Sequence, residues 1–240
     1  MAYINFGSRI LKQGLSGTDV EILQCLLNQL PSSMSSPISG ESTFGPKTEA
    51  AVKKFQTYFG LTVDGIVGKD TYLLLGQQTG PYLPSGASVF GSRNLRKGSS
   101  GRDVWVLQNR LASTKKQYAL ALGGPADSIF GSKTQAAVKL FQKDMGLTQD
   151  GIVGPLTFQK LFCNTHMGGR YLQASRAERN RGFDVYFLQS HLKSLGYYTA
   201  ALDGKFGPAT TSAVKALQKA HAIAVDGVVG PSTYYYLAPS

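Results

Sequence analysis

The sequence predicts a mainly α-helical chain of three tandem three-helix modules, with long loops and Asp-Gly turns. Three observations predict it. First, Phe6-Gly7-Ser8-Arg9-Ile10-Leu11 returns as Phe90-Gly91-Ser92-Arg93-Asn94-Leu95 and, altered, as Met167-Gly168-Gly169-Arg170-Tyr171-Leu172. Second, each copy continues into apolar residues at three- and four-residue spacing, the pattern of one buried helix face. Third, each ends in one kind of turn: Asp64-Gly65-Ile66-Val67-Gly68, Asp150-Gly151-Ile152-Val153-Gly154 and Asp226-Gly227-Val228-Val229-Gly230. Registers repeated in this way mark supersecondary units. They divide the chain at 1–79, 86–163 and 167–240.

The first helix of each module carries its apolar face on Val20, Leu23, Leu27 and Leu30, on Val104, Leu107 and Leu111, and on Val185, Leu188, Leu192 and Leu195. Thr18 and Glu21 have the spacing of a capping box, in the first copy only. The second helix opens after Phe44-Gly45, Phe130-Gly131 and Phe206-Gly207. Pro46 and Pro208 suit its first position, where a missing N–H costs nothing. Its expected buried face is Val52, Phe55 and Phe59, then Val138, Phe141 and Met145, then Val214, Leu217 and His221. Gln56, Gln142 and Gln218 each precede a turn aspartate by eight residues.

In those turns Gly65, Gly151 and Gly227 tolerate positive φ, and Asp64, Asp150 and Asp226 can accept backbone N–H groups ahead of them. A turn role is therefore expected for these aspartates rather than acid catalysis. The Ile-Val pairs and their copies are expected to pin the turns into the core. A short third helix starts near Pro155 or Pro231 and ends at Leu75, Leu161 or Leu237. The loop before each Phe-Gly varies, long and Ser-rich at 31–43 and shorter at 196–205, and such loops often carry specificity. Modules this small are marginal alone, so contacts between neighbours are expected. The short linker 164–169 suggests rigid docking of modules two and three, whereas 76–89 holds two prolines and three glycines.

Composition narrows the class. With 42% apolar and 16% charged residues the chain is no disordered polymer. No apolar run approaches the ~20 residues of a membrane-crossing helix. Two cysteines exclude a disulfide-built scaffold and a four-thiolate zinc site. The formal charge of +11 is uneven: basic and acidic residues balance through residue 85, while the remainder is basic. Such a surface favours anionic partners. Nucleic acid is disfavoured, because no basic run and no nucleic-acid motif occurs. The N-terminus shows no basic, apolar and small-residue succession of a secretory leader; the expectation is a cytosolic protein, another export route, or a leader replaced by Met1.

The motifs together, Gly-x-x-Gly-x-Asp-Val-x-x-Leu-Gln, then Asp203-Gly204-Lys205-Phe206-Gly207-Pro208, Ala-Val-x-x-Phe-Gln and Asp-Gly-Ile-Val-Gly, resemble the type 1 peptidoglycan-binding domain over nearly the whole chain. The resemblance implies three-helix modules that hold wall enzymes on the glycan-peptide mesh. Two departures stand out. Glu41-Ser42-Thr43 replaces Asp-Gly-x in the first copy, and the stretch 176–181 replaces the first glycine turn of the third.

No catalytic signature accompanies the modules: no His-x-x-Glu-His, no Gly-x-Ser-x-Gly elbow, no cysteine-transpeptidase pattern. Cys163-Asn164-Thr165-His166 reads as a module end rather than a thiol–imidazole pair. Cys25 reads as a small core filler, and whether it meets Cys163 is open. His191 and His221 lack ligand partners nearby, and neither a metal nor a cofactor is expected.

Two functions remain. In the first, the chain is a non-catalytic extracellular or wall-associated binder of peptidoglycan, with Arg96, Lys97, Arg102, Arg176, Arg179 and Arg181 as candidates for anionic wall polymers such as teichoic acids. In the second, the modules self-assemble head to tail into a homo-oligomer, filament or tube, with Tyr82, Tyr197, Tyr198, Tyr234, Tyr235 and Tyr236 as interface candidates. A phage or lysis-related wall-targeting component is a further alternative.

Overall fold

The computed structural model describes residues 2–38, 42–176 and 180–238. Among the described residues there are ten α-helices and no β-strand. Module one holds α1 (Thr18–Asn28), α2 (Pro46–Phe59) and α3 (Lys69–Leu74). Module two holds α4 (Arg102–Thr114), α5 (Lys116–Leu122), α6 (Ser132–Asp144) and α7 (Pro155–Asn164). Module three holds α8 (Phe183–Ser194), α9 (Pro208–Ala220) and α10 (Pro231–Tyr235). The middle module thus exceeds the expected three helices. Its Tyr118-Ala119-Leu120-Ala121-Leu122 stretch coils into α5, buries Tyr118, Ala119 and Leu122, and packs on α4 and α6.

Each module is closed by two isolated antiparallel bridges. Leu11 pairs with Val67, Leu95 with Val153 and Leu172 with Val229, tying the start of each repeat to its final turn. Ser16–Thr43, Ser100–Ile129 and Arg181–Lys205 tie the start of the first helix to the loop before the second. The valine of each turn is fully buried, but the preceding residue is not: Ile66 is half-buried and Ile152 exposed. The turn is therefore pinned by one side chain, because neighbours on a bridged segment point to opposite faces.

The helix faces follow the apolar spacing, with exceptions. Met145 is half-buried, and His221 is exposed and stacks on Tyr236, because each follows the last residue of its helix. The capping box does not form. Gly17 caps α1, and Thr18 instead exchanges two hydrogen bonds with the Ile4 backbone, donating to its carbonyl at 3.0 Å and accepting its N–H at 2.7 Å.

Modules one and two share one continuous hydrophobic core. Phe6 packs edge-on against Phe162 at 5.4 Å, and Phe90 meets Phe162 at the same distance. The segment after α3 is no loose linker. Buried Gln77 donates to both Phe6 O (2.9 Å) and Phe90 O (3.0 Å), joining the two equivalent turns. Module three has its own core and docks on both others, with Phe183 in the shared one.

The docking repeats a relation: α7 of module two packs on α1 of module one, and α10 of module three packs on α4 of module two. Module three also touches module one, where the Tyr58 hydroxyl donates to Asp203 O at 3.1 Å. Gly169 explains one alteration in the third repeat. A Cβ there would run into Gly76 O, so the serine found at positions 8 and 92 has no room.

Candidate functional site

The surface features stand on a frame of glutamine clamps. Gln142 reaches from α6 to the turn: its Nε2 donates to Asp150 Oδ1 (2.7 Å), Ile152 O (3.0 Å) and Thr157 Oγ1 (3.3 Å), while its Oε1 accepts the Gly151 N–H (2.9 Å). Gln56 and Gln218 do the same with Asp64 and Asp226. The clamp recurs between first and second helices. Gln108 holds Asp127 and Gln189 holds Asp203, while Gln24 donates to Thr43 O and Thr48 Oγ1. Each module therefore repeats one glutamine–turn–threonine device twice.

In each turn the aspartate also accepts the N–H two residues ahead. That bond, with the glutamine amide, holds the Asp64 and Asp150 carboxyls below the usual carboxylate range. Ser128 takes a left-handed φ of 68° at the place that Gly65, Gly151, Gly204 and Gly227 take in their turns.

A second device lies at the start of each module. Arg9 grips Asp19 through two nitrogens at 2.7 and 3.0 Å, Arg93 grips Asp103 at 2.6 and 3.0 Å, and Arg170 grips Asp184 at 2.7 and 2.8 Å. The first two arginines are partly exposed. Arg170 and Asp184 are both about 1% exposed because the other modules cover them. The constant ten-residue separation in the first two copies was a readable signal for this pair.

Between the repeat start and the third helix runs a groove. In module one it encloses about 750 Å³, with Ile10, Leu61, Thr62, Lys69 and Asp70 along it and the clamp residues Gln56 and Asp64 at its floor. In module two the corresponding groove encloses about 470 Å³, with Asn94, Leu147, Thr148, Pro155 and Leu156 in the matching places. One groove is thus bordered by a lysine and an aspartate, the other by a proline and a leucine. In module three the place of Ile10 and Asn94 belongs to Tyr171. Its ring lies so close over Gly230 that a Cβ there would meet Cε1 at 2.6 Å. The same ring packs on Trp105 of module two at 5.4 Å, and Arg102 covers Trp105 at 3.6 Å. In module three this place is thus covered by the Tyr171 ring, which remains partly open to solvent.

The family model described as "Putative peptidoglycan binding domain" matches residues 16–75, 100–161 and 181–237, most of the chain. The chain belongs to the peptidoglycan-binding domain family. Among proteins similar to it is N-acetylmuramoyl-L-alanine amidase CwlM of Mycobacterium tuberculosis, 38% identical over 44% of this chain and 26% of that protein. N-acetylmuramoyl-L-alanine amidase CwlL of Bacillus licheniformis is 29% identical over 74% of this chain and 52% of its own length. The zinc D-Ala-D-Ala carboxypeptidase of Streptomyces albus G is 32% identical over 50% and 53% respectively. The chain spans between a quarter and about half of the length of these relatives.

In these peptidoglycan-binding modules the residues expected to act at the surface separate into groups. Arg96, Lys97 and Arg176 are exposed. Arg102 is not a free cation for a wall polymer: it bonds Gln78 Oε1 at 2.8 Å and Gly169 O at 3.0 Å and stacks on Trp105, inside the junction of modules. Arg181 is half-buried in the cleft between modules one and three, and its carbonyl accepts from Arg170. Arg179 lies outside the described residues.

Among the tyrosines, Tyr198 and Tyr234 are buried in the module-three core, with hydroxyls on Ala201 O and Arg170 O, and cannot face a second copy. The Tyr82 hydroxyl donates to Asp70. Tyr197, Tyr235 and Tyr236 are half-buried, all three packed within the chain. Asp64, Gly65, Asp150, Gly151, Asp226 and Gly227 take the expected turn places, with the glycines at φ of 72–74°.

His166 bonds Gln29 rather than Cys163 and stacks on Phe187 at 3.9 Å; burial pushes its pKa down to about 3. His191 meets Leu237 O at 3.2 Å, and burial lowers its pKa. Among the described residues no three His, Cys, Asp or Glu side chains gather as a metal site, and no helix is long and apolar enough to cross a membrane.

Proposed function

We propose that this chain binds peptidoglycan without cleaving it, outside the cell, through the open grooves of modules one and two, while module three serves as a wedge that fixes their arrangement. The observation that carries this reading is the pair of grooves at one place on one frame, set against module three, where the Tyr171 ring lies over the same place. Apolar walls beside a few polar groups suit a ligand that alternates sugar faces and peptide. Two tethered sites also gain avidity, a factor of ~10² or more without new contacts. The different borders, Lys69 and Asp70 against Pro155 and Leu156, give the two sites different preferences along the polymer. Exposed Arg96 and Lys97 add attraction to anionic wall polymers, which salt weakens.

The test is co-sedimentation with purified sacculi across a salt series, with muropeptide release followed in the same tubes. Retention on sacculi without released fragments is the expected result. No retention at any salt refutes binding, and released fragments refute the non-catalytic reading. Self-assembly is the competing reading. Contact between modules one and three within one chain closes the series of modules, so sedimentation velocity is expected to show a monomer at high concentration.

A further inference from the structure

The two cysteines take no part in the clamps, the grooves or the metal chemistry considered above. Cys25 lies in α1 of module one and Cys163 in α7 of module two, the helices that form the seam between those modules. Both cysteines are half-exposed rather than buried, and one side chain, Gln29, touches both residues. The expected core filler is therefore a seam residue.

Gln29 fixes the pair from one side. Its Nε2 donates to Cys25 O at 3.0 Å and Cys163 O at 3.1 Å and lies 3.4 Å from Cys25 Sγ. His166 holds the other end of that amide. Across the seam Gln159 donates to Glu21 at 2.7 Å. The backbones that carry the two cysteines are thus tied together through one amide.

We propose that Cys25 and Cys163 form a reversible disulfide that staples module one to module two. Disulfide formation needs the two sulfurs in reach with little backbone movement, and the Gln29 amide, bonded to both backbones and 3.4 Å from Cys25 Sγ, brings the two residues together. The oxidant is a low-molecular-weight disulfide such as oxidised glutathione. Cys25 acts first: its neighbour Cys163, and with it Gln29 and Lys160, favour the thiolate and hold it below the ordinary thiol range. The same contact and burial push Cys163 up.

The Cys25 thiolate attacks one sulfur of the oxidant, whose S–S bond breaks and expels one glutathione thiolate. Cys163 then loses its proton to solvent and attacks Cys25 Sγ, which expels the second glutathione thiolate. Two protein S–H bonds are replaced by one S–S bond, and the oxidant leaves as two thiols. The staple is made in oxidising surroundings such as those outside the cell and undone in a reducing cytosol. It holds the two open grooves at one fixed separation.

The test uses the full chain, reduced with dithiothreitol, freed of it and equilibrated with oxidised glutathione. Free thiols, intact mass and non-reducing peptide maps are then read. The expected result is loss of both thiols together, a monomer lighter by two hydrogens, and one linked peptide pair containing Cys25 and Cys163. The melting temperature is expected to rise by roughly 5 °C or more, because the bridge closes a long loop, and to return with dithiothreitol. Cys25→Ser and Cys163→Ser should each abolish that rise and match the reduced wild type. Stable glutathione adducts without a linked peptide, disulfide-linked dimers, or two unreacted thiols would overturn the proposal. The wild-type peptide map decides it even where a variant fails to fold.

Discussion

Gln142 and Asp150 hold each other from both ends of one turn. The glutamine amide donates to the carboxylate at 2.7 Å, and its carbonyl accepts the N–H of Gly151, next to that aspartate, at 2.9 Å. The exchange works only with an amide, because one end must donate and the other accept. Gln142→Glu turns the donating end toward Asp150, Ile152 O and Thr157 as an acceptor, in a buried place. A loss of about 3 kcal/mol or more is expected, since buried polar groups are left unpaired beside a like charge. Urea unfolding of the variant measures it. A change under ~0.5 kcal/mol would show that the clamp carries no stability.

The turn aspartates also set a pH dependence. Asp64 and Asp150 have folded pKa values below their unfolded ones, through the Ile66 and Ile152 N–H groups first and the glutamines also. Their contribution is therefore complete above the usual carboxylate range, near pH 4, and is lost as pH falls through the lower folded values. The urea midpoint should begin to fall below about pH 6.5, where buried His166 and His191 gain protons only on unfolding, and the aspartates should add a further fall below about pH 4. Asp64→Asn with Asp150→Asn keeps an Oδ1 acceptor in each turn and should reduce that further fall, leaving the part due to Asp127 and Asp144. An equal fall in the double variant would place the acid sensitivity elsewhere.

The arginine–aspartate pairs form a matched series in burial. Arg170→Ala leaves Asp184 charged and unpaired in a dry junction, and about 3–5 kcal/mol of stability should be lost. Arg93→Ala removes a partner that is itself 45% exposed, so water reaches the site and about 1 kcal/mol is expected. Chemical denaturation of the two variants side by side gives the comparison. Equal losses would mean that covering by neighbouring modules adds nothing to the pair.

Tyr171 and Trp105 report the seam between modules two and three. Trp105 is the chain's single tryptophan and is buried, so its emission reads that seam alone. Tyr171→Ala should shift the emission to the red. Unchanged emission would show that the tyrosine does not shield the indole.

Much of this architecture was legible because it rests on local rules repeated three times. The Asp-Gly turns, Pro46 and Pro208 at helix starts, and the spacing of Val20, Leu23 and Leu27 each act within a few residues. What stayed hidden depends on distant contacts. Tyr171 looked like a worn repeat position and proved to pack on Trp105 over Gly230, a contact hidden because Trp105 comes from another module. Arg102 looked like a surface cation and is held in a junction for the same reason. Tyr198 and Tyr234 carry hydroxyls that meet backbone carbonyls inside a core, and composition alone could not separate them from surface tyrosines. Helix α5 follows from an apolar run found only in the second repeat, where no comparison with its neighbours could reveal it.

The central claim is that peptidoglycan enters the grooves of modules one and two. Ile10 is 61% exposed and Asn94 is also exposed, so tyrosine fits at either position without disturbing a core. Ile10→Tyr with Asn94→Tyr copies onto both modules the residue that lies over this place in module three. The decisive measurement is the sacculus-binding isotherm of this double variant beside the wild type, with circular dichroism to show that both are folded. The account predicts saturable binding by the wild type and at least a tenfold weaker isotherm for the variant. An isotherm unchanged by the two tyrosines would place the wall contact outside the grooves and contradict the account.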